Sequence, residues 1–266
     1  LPLIMLEPIK PRSLRSVRAP SSPPGSWANF STGADSPVRA AWERGYLFVA
    51  ASGRQYPSLR ALFTPVADQM AFVIENGGGI YYQDKLIYSS AFDRDTALRI
   101  ARYVHNLPNC EFLADGAGES VAMPKSDAFV RQLEEVQKLQ VRYIEDFDHF
   151  PDQVMKIAVW CPDGSSGFEP QFQRDWGHCS RVAVSGASWI DFSCSDKGAG
   201  LAAACQLFDI PPERTIAFGD NWNDVSMLDF AAQPYIMASA APALREKYPR
   251  VCADVPEEIK KILAIC

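Results

Sequence analysis

An α/β core split by an inserted α+β module is the fold class that the sequence predicts, on three observations. Short, unalternating apolar runs at residues 46–51 and 71–74 end in polar turns, the pattern of strands buried on both faces. Strand and helix alternate with tight connections toward both ends of the chain. Between these parts lie helices separated by antiparallel-looking strands. The division expected is a core of residues 38–84 and 188–266, an insert of residues 85–187, and an atypical lead-in of residues 1–37.

The lead-in carries six prolines from Pro8 to Pro37, so no helix or central strand crosses residues 19–25. Only Leu3-Ile4-Met5-Leu6 there resembles a strand. From Val38 a helix runs to Arg44 and stops at Gly45; the strand at 46–51, the turn Ser52-Gly53-Arg54 and a helix through Leu59 and Leu62 follow. Residues 71–74 form the next strand, ending at Glu75-Asn76-Gly77, and residues 80–88 alternate around Gln83-Asp84 as a hairpin does. In the insert, Asp93 or Asp95 caps a helix bearing Leu98, Ile100, Ala101, Val104 and Leu107. A second helix is expected from Ser126, carrying Phe129, Val130, Leu133, Val136, Val141 and Ile144. The acidic run from Glu145 to Asp148 reads as its solvated end, and strands are expected at 110–113, 154–160, 181–185 and 188–193. An amphipathic helix at 197–208 after Asp196, a strand at 215–218 and further helix–strand alternation complete the core.

Lys plus Arg number 26 against 32 Asp plus Glu, and this net charge of −6 offers no broad basic field for nucleic acid or an anionic membrane. No apolar stretch approaches the ~20 residues needed to span a bilayer, and the short apolar start lacks signal-peptide form. The seven cysteines are scattered without a C-x-x-C pair, which suits a reducing, cytoplasmic setting. His105, His149 and His178 stand apart, and His178-Cys179 lacks a partner pair at zinc spacing. Neither a G-x-S-x-G elbow nor a G-x-x-x-x-G-K-[ST] loop occurs.

Chemistry concentrates at three places. Gly219-Asp220-Asn221-Trp222-Asn223-Asp224 crowds polar side chains at a strand tip, where open α/β sheets bind ligands. Hard oxygen donors there suit Mg²⁺, with Asp220 direct and Asp224 direct or one shell out, although an Asx-rich turn capping the next helix explains the same residues. Ser52 and Gly53 offer a hydroxyl and a bare amide to an oxyanion, and ordinary turn chemistry is the alternative. Lys197 at a helix start either neutralises a phosphate or is a solvated surface lysine.

Taken in order, Ser52-Gly53-Arg54, Asn76-Gly77, Lys197-Gly198 and Gly219-Asp220-x-x-Asn223-Asp224 resemble the motifs of the haloacid dehalogenase superfamily, in its Cof-type, subclass IIB branch. The resemblance implies a Rossmann-like three-layer core with a mostly parallel sheet and an α+β cap. It implies Mg²⁺-dependent hydrolysis of phosphomonoesters, sugar phosphates among them, through an aspartyl-phosphate intermediate. Ser52, Gly53 and Lys197 would then hold phosphate, Asp220 and Asp224 would serve the metal, and Asn223 and Asn76 would meet the substrate. The partner implied is a small phosphorylated metabolite.

The resemblance also implies an Asp-x-Asp-Gly-Thr motif at the end of the first strand, and no Asp-x-Asp precedes Ser52. Aligning Leu3–Leu6 with that strand sets Glu7 at the nucleophile position and Ile9, which transfers no proton, at the acid/base position. Three readings follow: an active enzyme using Glu7, an inactive phospholigand-binding relative, or a lead-in whose residues 7–37 come from a shifted reading frame, leaving an unstable product.

Overall fold

The computed structural model describes residues 3–6 and 37–264. The chain divides into two compact units, Leu1–Tyr88 with Asp196–Cys266, and Ser89–Ser195.

The first unit is built on an eight-stranded sheet. Its strands are β1 (Leu3–Leu6), β2 (Leu47–Ala51), β3 (Met70–Ile74), β4 (Gly79–Tyr82), β5 (Lys85–Ser89), β12 (Thr215–Gly219), β13 (Gln233–Met237) and β14 (Val251–Cys252), with β6 to β11 in the second unit. The spatial order is β14-β13-β12-β1-β2-β3-β4-β5. β2 runs parallel to β3, and β12 parallel to β13. Every residue of β1, β2, β3 and β12 is buried, which is why these segments read as apolar runs without alternation. Helices cover both faces. Tyr56 and Phe63, at the two ends of the α2 region (Tyr56–Ala61), pack on Phe72. The next residue, Val73, points to the opposite face and meets α6 (Lys197–Phe208). α1 (Pro37–Glu43) stops at Gly45, whose positive φ of 85° ends the helix in the left-handed region. Gln83 and Asp84, also left-handed, turn the β4–β5 hairpin.

The second unit is a six-stranded sheet ordered β10-β11-β9-β6-β7-β8. These strands are β6 (Glu111–Gly116), β7 (Ser120–Ala122), β8 (Arg142–Tyr143), β9 (Val154–Trp160), β10 (Arg181–Gly186) and β11 (Trp189–Ser193). One face packs α3 (Arg94–His105) and α5 (Glu169–Trp176) in a core that includes Ala101, Phe112, Val159 and Phe172. The other face holds a smaller cluster around Leu113, Phe129 and Leu133, under α4 (Asp127–Arg131). Asp93, not Asp95, caps α3 by accepting from the Thr96 amide at 2.9 Å.

Four expectations are corrected here. The helix expected from Ser126 to Ile144 ends as α4 and one π-type turn, Gln132–Val136, after which Lys138 turns left-handed. Val136 is exposed, and the residues beyond it make β8 instead of more helix. The acidic run is therefore no helix end, and Asp146 caps the short turn Phe147–His149. Residues 189–193, expected in the core, pair as β11 with β9 and β10 in the second sheet. α6 is not amphipathic, because Lys197, Gly198, Gly200, Leu201 and Ala203 to Cys205 bury most of its circumference. α7 (Val225–Phe230), α8 (Pro242–Lys247) and α9 (Val255–Ile262) complete the first unit. Among the described residues no helix is long and apolar enough to cross a membrane.

Candidate active site

Ser52 follows β2, Glu75-Asn76-Gly77 follows β3, and Asp220 follows β12, so all three turns emerge at one end of the sheet. α6 begins there too, packing against the Glu75–Gly77 turn and the Trp222–Asp224 turn. Ser52, Gly53, Asn76, Lys197, Asp220, Asn223 and Asp224 are thus brought to one edge, as their motifs predict.

The turns after β2 and β3 are joined by backbone. The Ser52 amide donates to Val73 O at 2.9 Å, the Asn76 amide to Ser52 O at 3.0 Å, and the Glu75 amide to Arg54 O at 3.2 Å. The Arg54 amide donates to Ser52 Oγ at 3.2 Å, so the hydroxyl is held by its acceptor side while its proton remains a donor. Glu75 and Asn76 both sit in the left-handed region, at φ 48° and 54°, followed by Gly77 at 98°. Two successive L residues in this region are sparsely populated and mark a turn fixed by its surroundings, while Gly77 adopts its positive φ freely. Glu75 is buried, a feature that its place in a polar turn does not announce. Just beyond Arg54, Tyr56 stacks on Tyr81 at 3.8 Å. Burial, then its hydrogen bond to Asp84, pushes that phenol up to about 12, so it stays protonated.

Asp224 organises the opposite side. Its carboxylate is fully buried, and Oδ1 accepts from Lys197 Nζ at 2.6 Å. Oδ2 accepts the Asp220 amide at 2.9 Å and the Asn221 amide at 3.0 Å. Lys197 is buried as well, which removes the reading of a solvated surface lysine. Asp224 is also the third residue of a capping box with Asn221, so the Asx-cap reading and the site reading describe the same carboxylate. With three hydrogen bonds on its two oxygens, Asp224 holds the loop and the lysine in place. Asp220, Trp222 and Asn223 stay exposed around it.

Two glycines explain their motifs. A Cβ on Gly219 would lie 2.8 Å from Asp224 Cβ, so glycine is what lets Asp224 fold back under the strand tip. A Cβ on Gly198 would lie 2.5 Å from Ser226 O, and the Gly198 amide donates to Ser226 Oγ at 3.1 Å. Ser226 is a supporting residue that the sequence did not single out. Gly198→Ala is expected to cost about 1–3 kcal/mol by overpacking α6 against α7, read as a lowered denaturant midpoint. An unchanged midpoint would mean the two helices part freely.

Glu7 lies outside the described residues. β1 occupies the central slot between β2 and β12, yet it runs antiparallel to both: Leu3 faces Ala50 and Phe218, while Leu6 faces Leu47 and Thr215. Its C-terminal end therefore lies at the edge of the sheet away from Ser52 and Asp220, about 10 Å from the level of Leu3 at 3.3 Å per residue. β1 itself carries no carboxylate, and the expectation that Glu7 follows it into the site falls on a residue outside the described ones.

The model of haloacid dehalogenase-like hydrolases matches residues 31–258. The chain belongs to this family. Among relatives of this hydrolase is the 5-amino-6-(5-phospho-D-ribitylamino)uracil phosphatase YbjI of Escherichia coli, 27% identical over 207 residues, 76% of this chain and 75% of that one. A solved structure from Eubacterium rectale superposes with a TM-score of 0.79 at 24% identity, covering 86% and 90% of the two chains. A subclass IIB sugar phosphatase superposes with a TM-score of 0.69 at 17% identity, covering 91% and 95%. The match of the family model begins beyond β1, so the hydrolase motifs it spans are those from Ser52 onward.

Proposed function

We propose that this hydrolase acts on phosphomonoesters of small metabolites, sugar phosphates among them, with Mg²⁺ at Asp220. The observation that carries the reading is the buried Lys197–Asp224 pair, set at the strand tips beside Ser52 and Asp220. A lysine so buried keeps its ammonium only with anionic company, and a phosphate is a second anion that fits it. Ser52 Oγ donates to one phosphate oxygen and Lys197 Nζ to another. Asn223 meets the substrate from the exposed loop.

Among the described residues no group of three His, Cys, Asp or Glu gathers as a metal cage. One exposed carboxylate at a strand tip, completed by phosphate and water, is a donor set that Mg²⁺ accepts. Asp220 would hold the ion, and Asp224 would hold Asp220 through its amide. Bound there, Mg²⁺ would supply neutralisation of the phosphoryl charge. We assign the unit Ser89–Ser195 the cap role, with the choice of substrate, in a cytoplasmic setting.

The antiparallel course of β1 favours a second reading, a phospholigand-binding protein without turnover, because that strand brings no carboxylate to the site. Phosphate release from p-nitrophenyl phosphate and a panel of sugar phosphates, with and without Mg²⁺, separates the two. Mg²⁺-dependent release that disappears in Asp220→Ala supports the enzyme. Sugar-phosphate binding without release, lost in Lys197→Met, supports the binding protein. Neither release nor binding by the folded chain overturns both.

A further inference from the structure

Cys110 and Cys161 are the residues next to Glu111 and Trp160, the last pair in register between the antiparallel strands β6 and β9. They therefore stand directly opposite each other, and their Sγ atoms are 3.7 Å apart. The Cys110 amide donates to Leu107 O and the Cys161 amide to Ser188 O, so the two residues do not exchange backbone hydrogen bonds. Such a pair has its Cα atoms about 4.5 Å apart, inside the range a disulfide bridges. Both side chains point to the face that carries Phe112 and Val159, and both are buried.

We propose that Cys110 and Cys161 are a redox modification site, closed to an intramolecular disulfide by a hydroperoxide such as hydrogen peroxide. The Cys110 thiolate attacks one peroxide oxygen. An S–O bond forms, the O–O bond breaks, and the departing hydroxide takes a proton to leave as water. The Cys161 thiol then attacks the Cys110 sulfur. The S–S bond forms, the S–O bond breaks, and hydroxide leaves with the Cys161 proton as a second water. Two thiols and one hydrogen peroxide thus give one disulfide and two waters, each sulfur giving up one electron to the peroxide oxygens.

The surroundings assign the order of the two cysteines. The hydrogen bond with Cys161, and after it the charge of Lys125, hold the Cys110 thiol below its usual range, and the bond with Cys110 together with burial pushes Cys161 up. Lys125 is fixed nearby, donating from Nζ to His105 O at 2.8 Å and Leu107 O at 2.7 Å. Access is through the strand ends. Asn109 and Asp163, each next to or two residues from a cysteine, are exposed and joined by one hydrogen bond of 3.1 Å. Oxidation requires these strand ends to open far enough to admit a molecule little larger than water.

The test uses the full chain, treated with hydrogen peroxide, alkylated under denaturing conditions and digested without reductant. Mass spectrometry is expected to find the Cys110 peptide joined to the Cys161 peptide, with the loss of two alkylatable thiols, while Cys205 and Cys252 remain alkylated. In Cys161→Ala, Cys110 is expected to stop at the sulfenic acid and be trapped by a 1,3-diketone. Recovery of both cysteines as alkylated thiols, while exposed Cys179 and Cys194 are oxidised, overturns the proposal. So does a disulfide that joins either cysteine to any other.

Discussion

Replacing Asp224 by alanine is expected to lower the stability of the core unit by about 3–5 kcal/mol and to abolish phosphate binding. Lys197 and Asp224 are both buried, and their side chains meet at 2.6 Å. Removing one partner leaves an ammonium in a low-dielectric interior with no counter-charge, which costs far more than the intact pair contributes. The Asp220 and Asn221 amides lose their acceptor in the same step. Against a total of about 5–15 kcal/mol for a folded domain, that loss decides whether the unit folds at 37 °C. Asp224→Asn isolates the charge, because its amide oxygen still receives the two backbone donors while its NH₂ faces Lys197 donor to donor. The asparagine variant is thus expected to fold with an ordered loop and to bind phosphate poorly. Lys197→Met with Asp224→Leu removes both charges and is expected to recover part of the stability with none of the binding. Denaturant midpoints of the four proteins check this, and an alanine variant within about 0.5 kcal/mol of the parent would show that the pair is solvated.

This carboxylate marks how far the sequence could be read. The motif gives the residue types at the strand tip, and the order of the motifs assembles them at one edge. What Asp224 does was not legible, because its partner Lys197 is 27 residues away and only the packing of α6 beside α7 brings the two together. The helix-cap reading of the loop is seen in its hydrogen bonds, and the same carboxylate also faces a lysine: one oxygen meets Lys197 and the other the amides.

The core strands were legible for a physical reason, since burial on both faces removes the alternation that would otherwise disguise them among helices. β11 shows the converse. Trp189-Ile190-Asp191-Phe192-Ser193 alternates in polarity, with Ile190 and Phe192 in the larger core of the second unit and Trp189 against the smaller cluster on the other face. Its position beside Lys197 in the chain concealed its membership of the other sheet. The helix from Ser126 failed for another reason: Val136, Val141 and Ile144 kept apolar spacing across a left-handed Lys138 that no helical period detects.

Ile4→Pro is expected to reduce stability by about 3 kcal/mol or more, because β1 lies in the middle of the sheet and proline removes a ladder donor there. Ile4 is fully buried, so a tolerated proline would show that the strand is absent from the slot. Direction is a separate question, and cross-links answer it. In the antiparallel register Leu3 faces Ala50, so Leu3→Cys with Ala50→Cys is expected to form a disulfide under mild oxidation, and Leu3→Cys with Leu47→Cys is not. The reverse result would mean a parallel strand, with the end of Leu6 at the tips beside Ser52 and Asp220. Glu7 would then follow the strand into the position where the resemblance sets the nucleophile. With the first result, turnover demands a carboxylate from elsewhere in the chain, and its absence leaves Ser52, Lys197 and Asp220 as a site that holds a phosphate without cleaving it.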